Sequence, residues 1–107
     1  MIIMHGLFDL KDGEKEQEFR RSFDLFSEHL KDLRMVVSGR FMRHQEHDGY
    51  NARGPLTQYY VSVEFASMHR AEECWALIEA ADEPLKSLHN AVFSTIENTV
   101  FFLSTDV

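Results

Sequence analysis

The order of hydrophobic patterns along this chain predicts an α+β fold, a four-stranded antiparallel sheet with two main helices on one face, in the order β-α-β-β-α-β with a short extra helix before the last strand. Three observations predict it. Period-two alternation marks strands at the start of the chain and over Thr57–Phe65, and helical-period stripes mark two intervening stretches. A turn-rich stretch, HDGYNARGP, joins the second strand to the third as a long hairpin loop.

The first ten residues place Ile2, Met4, Gly6 and Phe8 on one face and Ile3, His5, Leu7 and Asp9 on the other. Both faces are largely apolar, which predicts a central strand covered on two sides. KDG breaks the strand, and Asp12 is placed to cap a long helix from about Gly13 to Leu33, with Glu14 and Glu16 at its positive end. Phe19, Phe23, Phe26, Leu30 and Leu33 form a single apolar stripe along it. Met35 to about His47 reads as the second strand, with Val36, Val37, Phe41 and Met42 interleaved with Arg40, Arg43 and His44.

The third strand, TQYYVSVEF, sets Tyr59, Val61, Val63 and Phe65 against Tyr60, Ser62 and Glu64. Ser67 is placed to cap a second helix with Ala71, Cys74, Trp75, Ile78 and Ala81 on one face. Pro84 ends it and suits the first turn of a short helix that packs through Leu85, Leu88 and Val92. NTVFFLST, aromatic and β-branched, closes the chain as the fourth strand. Right-handed crossovers turn this order into the split βαβ, or ferredoxin-like, arrangement over residues 1–107 as one domain, with the first and third strands central.

A length of 107 residues suits one domain, and the nine Phe and 44% hydrophobic content indicate a folded chain. The net charge of −7 argues against nucleic acid, whose binding draws on clustered Lys and Arg. A lone cysteine, Cys74, forms no internal disulfide and fits a reducing cytoplasm. The opening MIIMHGLFDL lacks the cationic start and cleavage site of a signal peptide. No apolar run approaches the roughly 20 residues that span a bilayer, so no membrane partner is expected.

The helices should cover the Phe8 and Val61 sides of the central strands. The opposite side then presents Ile3, His5, Leu7 and Asp9 beside Tyr60, Ser62 and Glu64, too apolar for plain solvent and too polar for plain core. A two-fold dimer that pairs two such faces resolves this, with the polar residues lining a cavity between the sheets.

The pattern resembles the dimeric α+β barrel superfamily. EHLKDL, GRFMRHQ, VSVEF and LHNAVFSTIENTVFFL, in that order, are similar to an uncharacterised bacterial family of unknown function, over nearly the whole chain. The second strand departs from it, reading RFMRHQ where a run richer in Arg is expected. The resemblance implies the fold and a homodimer. Its superfamily includes cofactor-free monooxygenases, haem-degrading and peroxidase enzymes, muconolactone isomerases and proteins of no known activity, so fold alone does not select a chemistry.

Three functional readings follow. In the first, the dimer binds a small, partly apolar organic molecule over the sheet without metal or cofactor. In the second, it is a cofactor-free monooxygenase or isomerase acting on a small aromatic or polyketide-like compound, with His5 as base, Glu64 orienting it and Tyr60 or Arg40 polarising a substrate oxygen. In the third, it is a structural or regulatory dimer whose polar face groups simply satisfy one another. Arg40, His44, Tyr50 and Arg53 are the candidate substrate contacts, the last two from the long loop. HQEHD, with His44, Glu46, His47 and Asp48, is an incomplete metal set: there is no second pair of ligands, and strand geometry sends His44 and His47 to opposite faces unless the chain bends. His89 in SLHNAV is where a haem ligand would be sought, against the plainer reading of a histidine packed at a helix end.

Overall fold

The computed structural model describes residues 1–50 and 57–107. Four strands and three helices follow one another as β1 (Ile2–Leu10), α1 (Glu16–Asp32), β2 (Ser38–Arg43), β3 (Tyr59–Phe65), α2 (Met68–Glu79), α3 (Leu85–Phe93) and β4 (Ile96–Thr105). The sheet is antiparallel in the order β2-β3-β1-β4, so β1 and β3 are central, as the split βαβ arrangement predicts. Among the described residues no helix is long and apolar enough to cross a membrane.

Helix α1 forms where its apolar residues fall on one side. Phe19, Phe23, Phe26 and Leu30 are all buried, each worth roughly 1.5–3 kcal/mol of apolar transfer. The helix starts later than Asp12 suggests. Gly13 has φ +87°, a turn conformation that keeps the preceding residues out of the helix, and Lys15 takes the N-cap position with no side-chain cap. It ends at Asp32. Arg34 follows in the left-handed region at φ 59°, and the Met35 N–H returns to the Leu30 carbonyl at 2.9 Å. Leu33, expected on the stripe, is therefore past the last turn and 41% exposed.

Strand β2 is shorter than the Met35–His47 pattern, because pairing with β3 runs only from Ser38 opposite Glu64 to Arg43 opposite Tyr59. Likewise β3 begins at Tyr59 and β4 reaches from Ile96 to Thr105. Ser67 caps α2 as expected, its Oγ accepting from the Arg70 N–H at 3.2 Å. Ala81, expected on the α2 stripe, lies beyond the helix at φ 57°. Pro84 takes the N-cap of α3, whose Leu85 and Val92 are buried.

The helices cover one face of the sheet. Phe8, Phe41, Val61, Val63 and Phe65 are buried beneath them. Arg20 ties α1 to β2, donating to the Phe41 carbonyl at 3.0 Å with its guanidinium 5.1 Å above the Phe41 ring. Glu16 and Arg43 make a bidentate pair at 2.7 and 2.8 Å at the same edge. On β1, Asp9 accepts from the Gln58 N–H at 2.8 Å and from Asn98 Nδ2 at 3.0 Å, where a bulge shifts the β1–β4 register.

Two glycines mark close approaches. A Cβ on Gly39 would lie 2.6 Å from Ser27 Oγ and 3.2 Å from Ser27 Cβ, so α1 sits directly on β2 there. A Cβ on Gly6 would lie 2.6 Å from Cε1 of Phe101, whose ring covers that glycine. Gly39→Ala is expected to destabilise the protein by roughly 1–3 kcal/mol through overpacking, read as a lower urea midpoint. Adding Ser27→Ala removes the clashing oxygen, itself buried without a hydrogen-bond partner, and should recover part of the loss. A double variant no more stable than Gly39→Ala would show that the helix backbone, not the hydroxyl, sets the spacing.

Candidate functional site

Pairing register arranges the helix-free face as three cross-strand rows. Ser38, Glu64, Ile3 and Ser104 form one, Arg40, Ser62, His5 and Phe102 the next, and Met42, Tyr60, Leu7 and Val100 the third. The predicted His5, Tyr60 and Glu64 thus share one face on adjacent strands. Their bonds divide differently from expectation: His5 Nδ1 is 2.6 Å from the Tyr60 hydroxyl, whereas Glu64 Oε2 accepts from Ser38 Oγ at 3.1 Å. Tyr60 holds the imidazole in the place foreseen for Glu64. The His5 ring also stacks on Phe102, with centroids 4.7 Å apart, and its Nε2 is buried without a partner.

Arg40 lies in the His5 row and is exposed. His44 is past the end of β2, its Nδ1 2.6 Å from the Thr57 carbonyl oxygen. Tyr50 is 92% exposed. Arg53 lies outside the described residues. His47 Nδ1 accepts from the Gly49 N–H at 3.1 Å. Among the described residues no three His, Cys, Asp or Glu side chains are grouped as a metal would need.

A cavity of about 390 Å³ lies on the opposite side of the sheet from His5, between the strands and the helices. Its floor is Met4, Val63, Phe65 and Phe101, the helix-facing residues of β1, β3 and β4. Phe26 and Leu30 of α1, Cys74, Trp75, Ile78 and Glu79 of α2, and His89 and Phe93 of α3 complete it. The volume is in the range of small-molecule pockets, about 300–1,000 Å³. The expected cavity between two sheets would need a second copy, whereas this one belongs to a single chain.

Stripe periodicity marked most of these lining residues as core, and it says nothing of whether three helix faces meet without a gap. The polar group it left ambiguous is His89. Its ring stacks on Phe93 at 4.4 Å between centroids and meets Phe26 edge-on at 5.8 Å, so two aromatic walls set its orientation. Burial holds its proton affinity below the ordinary value of 6.5, against a smaller opposing pull from the Asn90 side chain, so the imidazole is neutral at pH 7. Burial pushes the Cys74 thiol up to about 11, away from the thiolate form that a nucleophile uses.

His89 gives stability a definite pH dependence. Unfolded, it takes a proton near its ordinary value of 6.5, and folded only at lower pH. The native state thus binds fewer protons in that window, and stability falls as pH drops below 6.5, levelling once the folded imidazole protonates. Glu16 and Glu83, whose carboxyls Arg43 and Ser87 hold below the ordinary 4.5, act only at more acid pH. The urea midpoint is expected to decline between about pH 7 and about pH 5, less steeply in His89→Phe. An equal slope in the variant would mean that the imidazole is solvated.

The fold has many counterparts at low identity. The Arabidopsis thaliana protein At3g17210 is 8% identical with a TM-score of 0.76, covering 100% of this chain and 96% of its own. A mutant of SnoaB, a cofactor-independent oxygenase from Streptomyces nogalater, is 11% identical with a TM-score of 0.70 over 98% and 91%. A dimeric ferredoxin-like protein of unknown function from Jannaschia is 7% identical with a TM-score of 0.67 over 99% and 100%. These likenesses carry the ferredoxin-like fold. No curated protein sequence matches the chain. The family model that does match spans residues 1–106, and the chain belongs to that family of unknown function, DUF6614.

Proposed function

We propose that the protein is a homodimer that takes a small, largely apolar organic molecule into the cavity between its helices and its sheet. The observation that carries this is the cavity itself, about 390 Å³ walled by Phe26, Trp75, Ile78, Phe93 and Phe101. The cavity opens to solvent, and its aromatic walls are apolar surface that a planar guest would remove from water. The dimer rests on the helix-free face. Phe102 is 46% exposed and Val100 53%, beside Met42 and Leu7, an apolar patch that a self-complementary copy would bury. Solved structures of the same fold are described as dimeric. His5 Nε2 would then find its hydrogen-bond partner across the two-fold axis.

An enzymatic reading, turnover of the bound molecule without a cofactor, is favoured by one further observation: a neutral, half-buried imidazole, His89, in the cavity wall. The fold likeness to SnoaB, described as a cofactor-independent oxygenase, is in keeping with it. His5 with Tyr60 is the corresponding base on the open face. Turnover lost in His5→Ala would put the chemistry there; turnover lost only in His89→Phe would put it in the cavity.

Light scattering is expected to give twice the chain mass for the native protein and a folded monomer for Phe102→Glu. A native monomer would remove the dimer from the reading. For the cavity, 2-methylnaphthalene is expected to raise the melting temperature of the native protein and to give a calorimetric binding signal. Ile78→Trp, which fills the space, should abolish both while keeping the helical circular dichroism. No shift with the native protein, or an undiminished one in the filled variant, would leave the dimer a structural module.

A further inference from the structure

Apart from His89 and Glu79, the cavity is lined by hydrocarbon, rings and the two sulfur side chains Met4 and Cys74, and this contrast bears on what it holds. A ligand that offered only hydrocarbon would cover the His89 imidazole and strip the ring nitrogen that Asn90 does not engage of its water, leaving a polar group unmet. One that brings a matching group avoids that loss. Which group matches follows from the surroundings. His89 is kept uncharged by burial, Glu79 is exposed at the cavity rim, and among the described residues no lysine or arginine lines the cavity, so a carboxylate-bearing ligand would enter without a cation to meet it. A neutral imidazole carries one lone-pair nitrogen and one N–H. A hydroxyl meets either, donating to the first or accepting from the second, whereas a carbonyl meets only the N–H.

We infer that His89 selects the ligand, and that the ligand is a neutral aromatic compound carrying a hydroxyl, a phenol or naphthol in class, whose rings lie among Trp75, Phe93 and Phe101 and whose hydroxyl hydrogen-bonds to the His89 imidazole. This rests on the reading of the cavity as a ligand site. Phe26 and Phe93 hold the imidazole in one orientation, edge-on and face-on, so the hydrogen bond has a set direction and discriminates by position as well as by presence.

Isothermal titration calorimetry at neutral pH with 2-naphthol, 2-methylnaphthalene and 2-naphthoate separates the cases. The native protein is expected to bind 2-naphthol about tenfold or more tighter than 2-methylnaphthalene and to bind 2-naphthoate weakest. In His89→Phe the first two should bind alike, and in His89→Gln, which keeps a donor and an acceptor, the preference for the hydroxyl should return. Equal affinities in the native protein, or a naphthol preference that survives in His89→Phe, would overturn the inference while leaving the cavity as a ligand site. Binding of none of the three would overturn both. Because His89→Gln tests the same bond without an aromatic filler, a poorly folded His89→Phe does not shield the inference: no preference in folded His89→Gln counts against it.

Discussion

A strand that is apolar on both sides obliges the protein to find two different covers for one layer of backbone, and the arrangement of this molecule follows from that constraint on β1. Met4, Gly6 and Phe8 face the helices; Ile3, His5 and Leu7 face away. The same alternation is repeated on β4, where Phe101 lies over Gly6 and Phe102 stacks on His5. Neighbouring residues such as Met4 and His5, or Phe101 and Phe102, therefore belong to separate compartments one sheet apart. Gly6 has to be glycine because the Phe101 ring occupies the space of its side chain.

On the helix side the cover is uneven. α1 lies close on β2, near enough that Gly39 admits no Cβ against Ser27, while α3 packs chiefly on α1 rather than on α2. Helices that pair with each other in this way leave the floor formed by Met4 and Phe101 partly uncovered, and the gap becomes the cavity. Aromatic residues border it because rings placed edge-to-face, as Phe26 and Phe93 are at 6.0 Å, keep their geometry without filling every space. An imidazole in such a wall is desolvated but not buried outright, which keeps it neutral and leaves it able to bond to a guest.

Much of this was legible in the sequence, and the remainder has physical reasons for being hidden. Alternation and stripes specify which residues face which way, so the two faces of β1 and β3 and the core Phe residues of α1 could be read directly. Helix ends were harder, because Gly13, Arg34 and Ala81 adopt positive φ values that depend on turns rather than on periodicity. The partner of His5 was missed for a similar reason. His5 stands opposite Ser62, with Tyr60 and Glu64 as its two diagonal neighbours on β3. Alternation treats the diagonals as equal, but a twisted sheet brings one diagonal closer than the other, and Ser38 on β2 supplies Glu64 with its own bond. The cavity was illegible because no local pattern records how well three helices meet.

β4 is where the two compartments share a weakness. It is an edge strand, and from Asn98 to Thr105 it carries no charged side chain, although edges are ordinarily protected by charges, proline or a short length. Its helix-side residues Phe101 and Leu103 are 41% and 42% exposed, nearly as much as Phe102 on the other face. An edge of this kind pairs or aggregates unless something covers it, so the sheet-to-sheet dimer proposed above has to reach β4 and not merely the central strands. A two-fold axis passing near His5 and Phe102 would bury the Val100 and Phe102 face of β4 in both copies. The strand that floors the cavity on one side would thus be held in place from the other by the second copy, and the wall that Phe101 provides would be only as firm as that contact.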